Sequence, residues 1–126
     1  MIVITEYFRI VSILYIYFVL QKFLSMGKWA DYVITAVKRG PEVGVISQVQ
    51  QHQDKGDEFG KPEVVDKMVV AHNIRKGKTY LTIYRVNETD WKKGDVVRTF
   101  LQDGQPYIRN DKNIVSSDNL GELPDI

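Results

Sequence analysis

Hydrophobic and polar positions follow a strand-like pattern in two early segments of the chain. Residues 31–38 (DYVITAVK) are rich in β-branched side chains and precede a Gly-Pro pair, which is typical of a turn. Residues 43–50 (VGVISQVQ) form a second valine-rich run, and a polar loop is expected over residues 51–60. The short connection between the two predicted strands favours an antiparallel hairpin.

A single short helix is predicted from Asp66 to about Gly77. Residues 64–65 are both valine and prefer extended structure, so the helix start is placed at Asp66, whose carboxylate can accept from the free N–H groups of the first turn. Val70 and Ile74 share a helical face, and Gly77 suits a left-handed helix end. The helix is expected to pack through its valine face.

Three further strands are predicted in the second half of the chain. Large side chains alternate on both faces of residues 78–86, which is typical of a central strand. Residues 87–94 are expected to form a turn, residues 95–101 and 106–109 two more strands, and the Asp-Gly pair at residues 103–104 the tight turn between them. The predicted fold class is α+β, with a small, largely antiparallel sheet in ββαβββ order and the helix on one face.

The first 25 residues differ from the rest because residues 10–20 form an almost unbroken apolar run. A helix of that length rises about 16 Å, about half of the hydrocarbon core of a membrane. Three explanations stay open: an over-long reading frame with Met26 as the true start, a marginal membrane anchor, or a cleaved secretory signal. Residues 26–126 are expected to form one α+β domain in every case.

The cellular location of the domain is predicted from the basic residues that flank the apolar run. Lys22, Lys28, Lys38 and Arg39 lie on its C-terminal side, and Arg9 lies on the other side. By the positive-inside rule, an anchored protein would keep the domain in the cytoplasm. A cytoplasmic domain is therefore expected, with a membrane contact only if the apolar segment is expressed.

Composition narrows the classes of function. The chain has no Cys, which excludes disulfides, thiolate nucleophiles and Cys-ligated metal sites. Residues 1–25 hold Arg9, Lys22 and Glu6, so removing them from a chain with 17 basic and 16 acidic residues leaves a neutral domain. A protein that mainly neutralises phosphates usually has a basic excess, so nucleic acid is a less favoured partner.

Two strings near the C-terminus, PYIR at residues 106–109 and SDNLGELP at residues 117–124, resemble the ending of a bacterial family called domain of unknown function 3892. The first strand, the helix and the WKKG string at residues 91–94 also fall in the order of that family. The chain departs from it at Asn110, where Thr is common, and in residues 1–25, which have no counterpart. The resemblance implies a small α+β fold of bacterial or phage origin and supplies no activity, cofactor or catalytic residue.

Histidine and carboxylate residues raise the question of a metal site. His52, Asp54, Asp57 and Glu58 share one loop, but their spacing matches neither an EF-hand loop nor a zinc-binding helix. A solvated turn is the preferred interpretation, and His72 is expected to be a partly exposed helical residue. No catalytic residue, metal ligand or cofactor is predicted, and a small metal-dependent enzyme is the second alternative function.

The main functional prediction is a non-enzymatic binding or protein-interaction module for an unknown protein or small ligand. Trp91 is predicted to lie in a solvent-facing turn, where its ring either covers one end of the core or anchors a partner. The segment around Asp118 either binds a ligand or forms a turn that buries Leu120 and Leu123. The candidate binding residues are Trp91, Lys92, Lys93, Tyr107, Arg109, Asp118 and Asn119.

The first alternative function is a nucleic-acid-binding accessory protein. Short basic clusters lie near Trp29, Tyr80 and Trp91, and such mixtures of cations and aromatic rings can follow a phosphate backbone and stack on bases. Acidic residues interrupt these clusters, so ordinary solvated turns are the preferred interpretation.

Overall fold

The computed structural model describes residues 27–126, so the apolar segment and the predicted start at Met26 lie outside the described residues. The elements of the described part are β1 (Tyr32–Arg39), β2 (Ile46–Gln53), β3 (Glu63–Asp66), α1 (Lys67–Arg75), β4 (Tyr80–Arg85), β5 (Trp91–Val96), β6 (Arg98–Gln102) and β7 (Gln105–Arg109). Within residues 27–126, no helix has the length and apolar character needed to cross a membrane.

Five strands form one mixed sheet in the order β3-β2-β1-β4-β5, and β6 and β7 form a separate hairpin. The β1–β4 pair is parallel, since the chain crosses over through β2, β3 and α1, and the other pairs are antiparallel. The α+β class with one short helix is confirmed. The ββαβββ order is wrong, because β3 was not predicted and the predicted strand at residues 95–101 is divided between β5 and β6.

The second strand begins at Ile46 and extends through residues that were predicted to be a loop. Residues 40–45 form the turn, in which Gly40 N–H donates to the Val45 carbonyl at 2.8 Å. At the C-terminal end of β2, polar side chains form hydrogen bonds inside the fold. Gln51 is buried there, and its side-chain oxygen accepts from the Tyr80 hydroxyl at 2.9 Å. Burial raises the pKa of Tyr80 to about 12.

The predicted turn over residues 87–94 is correct only as far as Asp90. The Asn87 side-chain carbonyl closes that turn by accepting from the backbone N–H groups of Thr89 and Asp90, each at 2.9 Å. Trp91 then starts β5 and pairs with Arg85 of β4. Trp91, Lys92 and Lys93 therefore lie on an edge strand rather than in a turn.

The helix begins where it was predicted, but Asp66 does not cap it. The Asp66 carboxylate makes no hydrogen bond to the first turn and instead accepts from the Gln48 side chain at 3.3 Å. Val70 is buried and Ile74 packs beside it on the core. Gly77 follows the helix with φ of 97°, the left-handed conformation expected of it.

Two hydrophobic clusters lie on opposite faces of the sheet. The helix, the β6–β7 hairpin and the C-terminal tail cover the inner face, whose buried cluster is Ile34, Val37, Ile46, Val49, Val70, Ala71, Tyr80, Val97, Ile108, Leu120 and Leu123. The outer face carries a smaller cluster of Ala30, Val33, Leu81 and Ile83, against which Phe59 and Trp91 pack. In the described part of the chain, this outer cluster includes no residue of the helix or hairpin.

The C-terminal tail returns to the first strand. Val37 N–H donates to the Pro124 carbonyl and Ile126 N–H donates to the Val37 carbonyl, both at 3.0 Å. Leu120 and Leu123 are 2% and 4% exposed, which confirms their predicted burial. The tail is therefore part of the core although it is largely without regular secondary structure.

Candidate functional site

Trp91 stands between two clefts on the outer face. Its half-buried ring packs against the outer cluster, and the Arg85 guanidinium lies over it at 4.6 Å from the ring centroid. The same indole lines a cleft of about 310 Å³ and a second cleft of about 370 Å³. Trp91 thus covers apolar surface and also remains available to a ligand.

The first of these, named here the aromatic cleft, combines aromatic rings with carboxylates. Trp29 and Phe59 line it with Trp91, and the centroids of the Trp29 and Phe59 rings are 5.9 Å apart with their planes inclined at 60°. Both tryptophans of the chain therefore line one cleft. The carboxylates along its walls belong to Asp54, Asp57, Glu58 and Asp90.

Buried Asp54 holds the aromatic cleft together. One carboxylate oxygen accepts from Trp29 N–H at 2.7 Å and Ala30 N–H at 3.3 Å, and the other accepts from Gly56 N–H at 2.9 Å. Gly56 has φ of 92°, which suits the tight bend there. Asp54 therefore fixes both Trp29 and the loop before Phe59.

The remaining carboxylates give the aromatic cleft a negative charge. Asp57 and Glu58 are exposed, and Asp90 accepts a neutral hydrogen bond from the Asn87 amide at 2.8 Å. Among residues 27–126, the ion pairs involve other carboxylates, those of Asp125, Asp118 and Asp111. The charged side chains that line the aromatic cleft are therefore all acidic, and the Arg85 guanidinium lies nearby over Trp91.

The second cleft, named here the polar cleft, contains a chain of hydrogen bonds. Gln50 donates to the Thr35 hydroxyl at 3.0 Å, that hydroxyl lies 3.1 Å from His52 Nε2, and His52 Nδ1 lies 2.9 Å from the Gly60 carbonyl. A carbonyl can only accept, so we assign the proton to Nδ1, and Nε2 then accepts from Thr35. Both ring nitrogens of His52 are thus occupied.

This arrangement gives no support to a metal site in the predicted loop. His52 lies in β2 with both nitrogens engaged, and Asp54 is directed toward backbone N–H groups. No group of three or more potential metal ligands occurs within residues 27–126. His72 lies on the helix, as predicted, and is exposed rather than partly exposed.

The candidate residues from the end of the chain lie on the other side of the sheet and hold the fold together. The Asp118 side chain accepts from Ile108 N–H at 2.9 Å and Ile46 N–H at 2.8 Å, and it pairs with the Lys67 ammonium at 2.9 Å. Asn119 is exposed, and its side-chain oxygen accepts from Gly121 N–H at 2.9 Å. Asp118 therefore accepts three hydrogen bonds within the protein, and it also lines, with Asn119, a cleft of about 440 Å³.

Arg109 forms a bidentate ion pair with Asp111. Its Nε and Nη2 atoms donate to the two carboxylate oxygens, each at 2.8 Å, and its Nη1 donates to the Ser117 hydroxyl at 2.8 Å. The hydrogen bonds from Arg109 lower the pKa of Asp111 to about 2 and raise the pKa of Arg109 itself. The Arg109 guanidinium therefore binds to the C-terminal tail through Asp111 and Ser117.

The structure does not bring the seven candidate residues together. Trp91, Lys92 and Lys93 lie on β5 at one edge of the sheet, and both lysines are exposed. Tyr107 lies on the hairpin that packs on the inner face, with the Lys67 ammonium 5.5 Å from its ring centroid. The binding roles of these residues remain predictions.

Trp29 and Phe59 are the site residues that sequence reasoning left out of the candidate set. Neither belongs to a recognisable motif, and each is far from Trp91 along the chain. The available signal was the presence of only two tryptophans in the chain, which alone does not indicate that they share a cleft.

Comparison with known proteins does not add to this geometry. No family model matches the chain, and neither do curated proteins or solved structures. The fold defines a small α+β protein with a mixed five-stranded sheet. The resemblance to domain of unknown function 3892 stays a prediction.

Proposed function

We propose that the protein is a non-enzymatic binding module whose recognition surface is the outer face of the sheet around Trp91. The observation that carries this proposal is the position of Trp91 as a common wall of two clefts. Large aromatic side chains dominate the binding energy of many recognition surfaces, because they bury much apolar area with little loss of conformational entropy.

The polar groups beside Trp91 also support binding rather than catalysis. His52 is fixed between Thr35 and Gly60, and Asp54 is fixed by backbone N–H groups. Such groups shape a surface but are occupied in the folded protein, whereas a general base needs access to the proton that it removes.

Nucleic acid is the weaker candidate for a partner. Asp57, Glu58 and Asp90 line the same cleft as both tryptophans, so a phosphate backbone that approached these rings would meet like charges. Lys92 and Lys93 are exposed on β5, but their position at a sheet edge also suits the common role of lysine in preventing edge-to-edge pairing of strands.

The test is affinity capture with the full-length protein and the variants Trp91→Ala and Tyr107→Ala. Both substitutions remove a half-buried aromatic ring, but from opposite sides of the sheet. Extract from the source cells is passed over each protein, and mass spectrometry quantifies the retained proteins and small molecules. We expect Trp91→Ala to lose a retained component that wild type and Tyr107→Ala keep.

Unfolding midpoints in urea separate lost binding from lost folding. Trp91 is half-buried, so Trp91→Ala is expected to cost about 1–2 kcal/mol, less than the loss of a fully buried ring. Equal retention by wild type and a folded Trp91→Ala variant would contradict the proposal.

A further inference from the structure

We infer that the aromatic cleft binds an alkylammonium group, meaning a quaternary or methylated amine carried by a small molecule or a side chain. This inference rests on the proposed function, because it names the ligand class for a cleft of which Trp91 is one wall. It follows from three features: the arrangement of the rings, the charge of the walls and the size of the cleft.

Three aromatic rings line the cleft in which a cation would bind. An ammonium group binds best over the face of an aromatic ring, within about 6 Å of its centroid. Trp29 and Phe59 are inclined at 60° with centroids 5.9 Å apart, and Trp91 forms a further wall. The Arg85 guanidinium already lies over Trp91, so the rings of Trp29 and Phe59 provide most of the aromatic surface for a ligand cation.

The carboxylates along the walls of the aromatic cleft favour a positively charged ligand. Asp57, Glu58 and Asp90 lie around the rings, and within residues 27–126 none of them forms an ion pair. An anion would be repelled, and a neutral apolar ligand would remove water from these carboxylates without replacing it by an opposite charge. A cation compensates the carboxylates and contacts the rings at the same time.

Alkylated ammonium fits this cleft better than a metal ion does. A hard metal ion needs several converging oxygen ligands, and the described part of the chain contains no such group. The carboxylate of Asp54 is also already bound to three backbone N–H groups. Methyl groups on nitrogen spread the charge and pack against rings, and a cleft of about 310 Å³ has room for such a group together with part of its carrier.

The test is a titration of the full-length protein with choline and with 3,3-dimethylbutan-1-ol, which has the same shape but no charge. Because both tryptophans line the aromatic cleft, indole fluorescence reports occupancy directly. We expect a saturable change with choline and binding of the uncharged alcohol at least about tenfold weaker. Equal affinity for the two compounds, or no saturable signal with choline or a trimethyllysine peptide, would overturn the inference.

Variants test whether choline binds in the aromatic cleft, and a peptide tests whether the ammonium group belongs to a small molecule or to a side chain. Trp29→Ala and the double change Asp57→Asn with Glu58→Gln should each weaken choline binding about tenfold, and Glu122→Gln, an exposed carboxylate outside the cleft, should leave it unchanged. Both cleft changes are at exposed side chains, and urea midpoints verify folding. Unchanged choline binding in both cleft variants would also overturn the inference. Tighter binding of a trimethyllysine peptide than of choline would indicate a peptide-borne ligand.

Failure of this inference is distinguishable from failure of the proposed function. If choline and the trimethyllysine peptide do not bind but Trp91→Ala still loses its captured component, the ligand class is wrong and the binding module stands. If the captured components are the same for wild type and Trp91→Ala, the proposed recognition surface is wrong whatever the titration shows.

Discussion

Asp118 joins three separate segments of the fold through one carboxylate. Its oxygens accept from the first residue of β2, from β7 and from the Lys67 ammonium of α1, and its side chain is completely buried. A buried carboxylate of this kind is stable only when its partners compensate the loss of water. Removing it would leave two backbone N–H groups and one ammonium without their acceptor.

Asp118→Ala is therefore expected to destabilise the protein by about 3–5 kcal/mol, the usual cost of breaking a buried ion pair from one side. The matched control is Asp125→Ala, which breaks the exposed pair between Asp125 and Arg39 and should cost about 0–1 kcal/mol. Urea unfolding of both variants gives the comparison. Similar midpoints for the two would show that Asp118 does not hold the segments together.

Asp111 is expected to make the stability of the protein depend on pH. Arg109 lowers the pKa of this carboxyl in the folded state to about 2 from its ordinary 3.8. A lowered folded-state pKa contributes stability that is present above the unfolded pKa and is lost as the pH falls through the folded pKa. The contribution should thus be complete above about pH 5 and decline between about pH 4 and pH 2.

Asp111→Asn tests this dependence, because the amide cannot ionise. We expect the variant to be less stable than wild type at pH 6 and the difference to shrink as the pH falls to 2. Thermal unfolding over that pH range measures it. A difference that stays constant with pH would mean that the ionised pair with Arg109 contributes nothing.

At the scale of elements, the absence of a side chain at Gly94 allows β5 to lie close to β4. A Cβ atom at this position would lie 2.6 Å from the Thr82 carbonyl oxygen and 2.7 Å from Tyr84 Cε2. Gly94→Ala should force the strands apart at a cost of about 3 kcal/mol and shift Trp91 on the same strand. Gly77→Ala is the control, since its Cβ meets open space and only the positive φ opposes it, at about 1 kcal/mol.

Calorimetry gives the two unfolding temperatures, and tryptophan emission reports whether Trp91 has moved. A Gly94→Ala variant as stable as Gly77→Ala, with the emission of wild type, would contradict the close strand approach.

Elements with strong local signals were predicted from the sequence, and those held by distant partners were not. The turn at residues 103–104 has φ of 53° and 76°, as its Asp-Gly pair indicates. The four-residue strand β3 was missed because it is defined by pairing with β2. The end of β2 was predicted to be a loop because Gln51 is polar. Its burial depends on the Tyr80 hydroxyl, which lies on another strand.

The candidate site was predicted less completely, for the same reason. Trp91 was recognised because a large ring beside a turn is unusual, but its neighbours in the aromatic cleft come from the chain before β1 and the loop after β2. Only the sheet order β2-β1-β4-β5 brings those loops to one place, and the parallel pair in that order gives no short-range signal.

At the scale of the whole molecule, the C-terminal tail closes the inner face. Leu120→Ala should cost about 2–4 kcal/mol, the usual range for a buried leucine that is truncated to alanine. Leu101→Ala is the control, because Leu101 is 60% exposed and its loss should cost less than about 1 kcal/mol. Urea midpoints that are equal for the two variants would show that the tail is not part of the core.

The return of the tail to β1 also has a consequence for how the protein emerges from the ribosome. Strand β1 is made early, but its partners include Tyr80 on β4 and the backbone of Pro124 and Ile126. Native contacts of such long sequence separation form late, and chains that wait for them expose unpaired strands. Nascent chains that stop before the tail should therefore depend on chaperones until the tail can pair with β1 and cover the inner face.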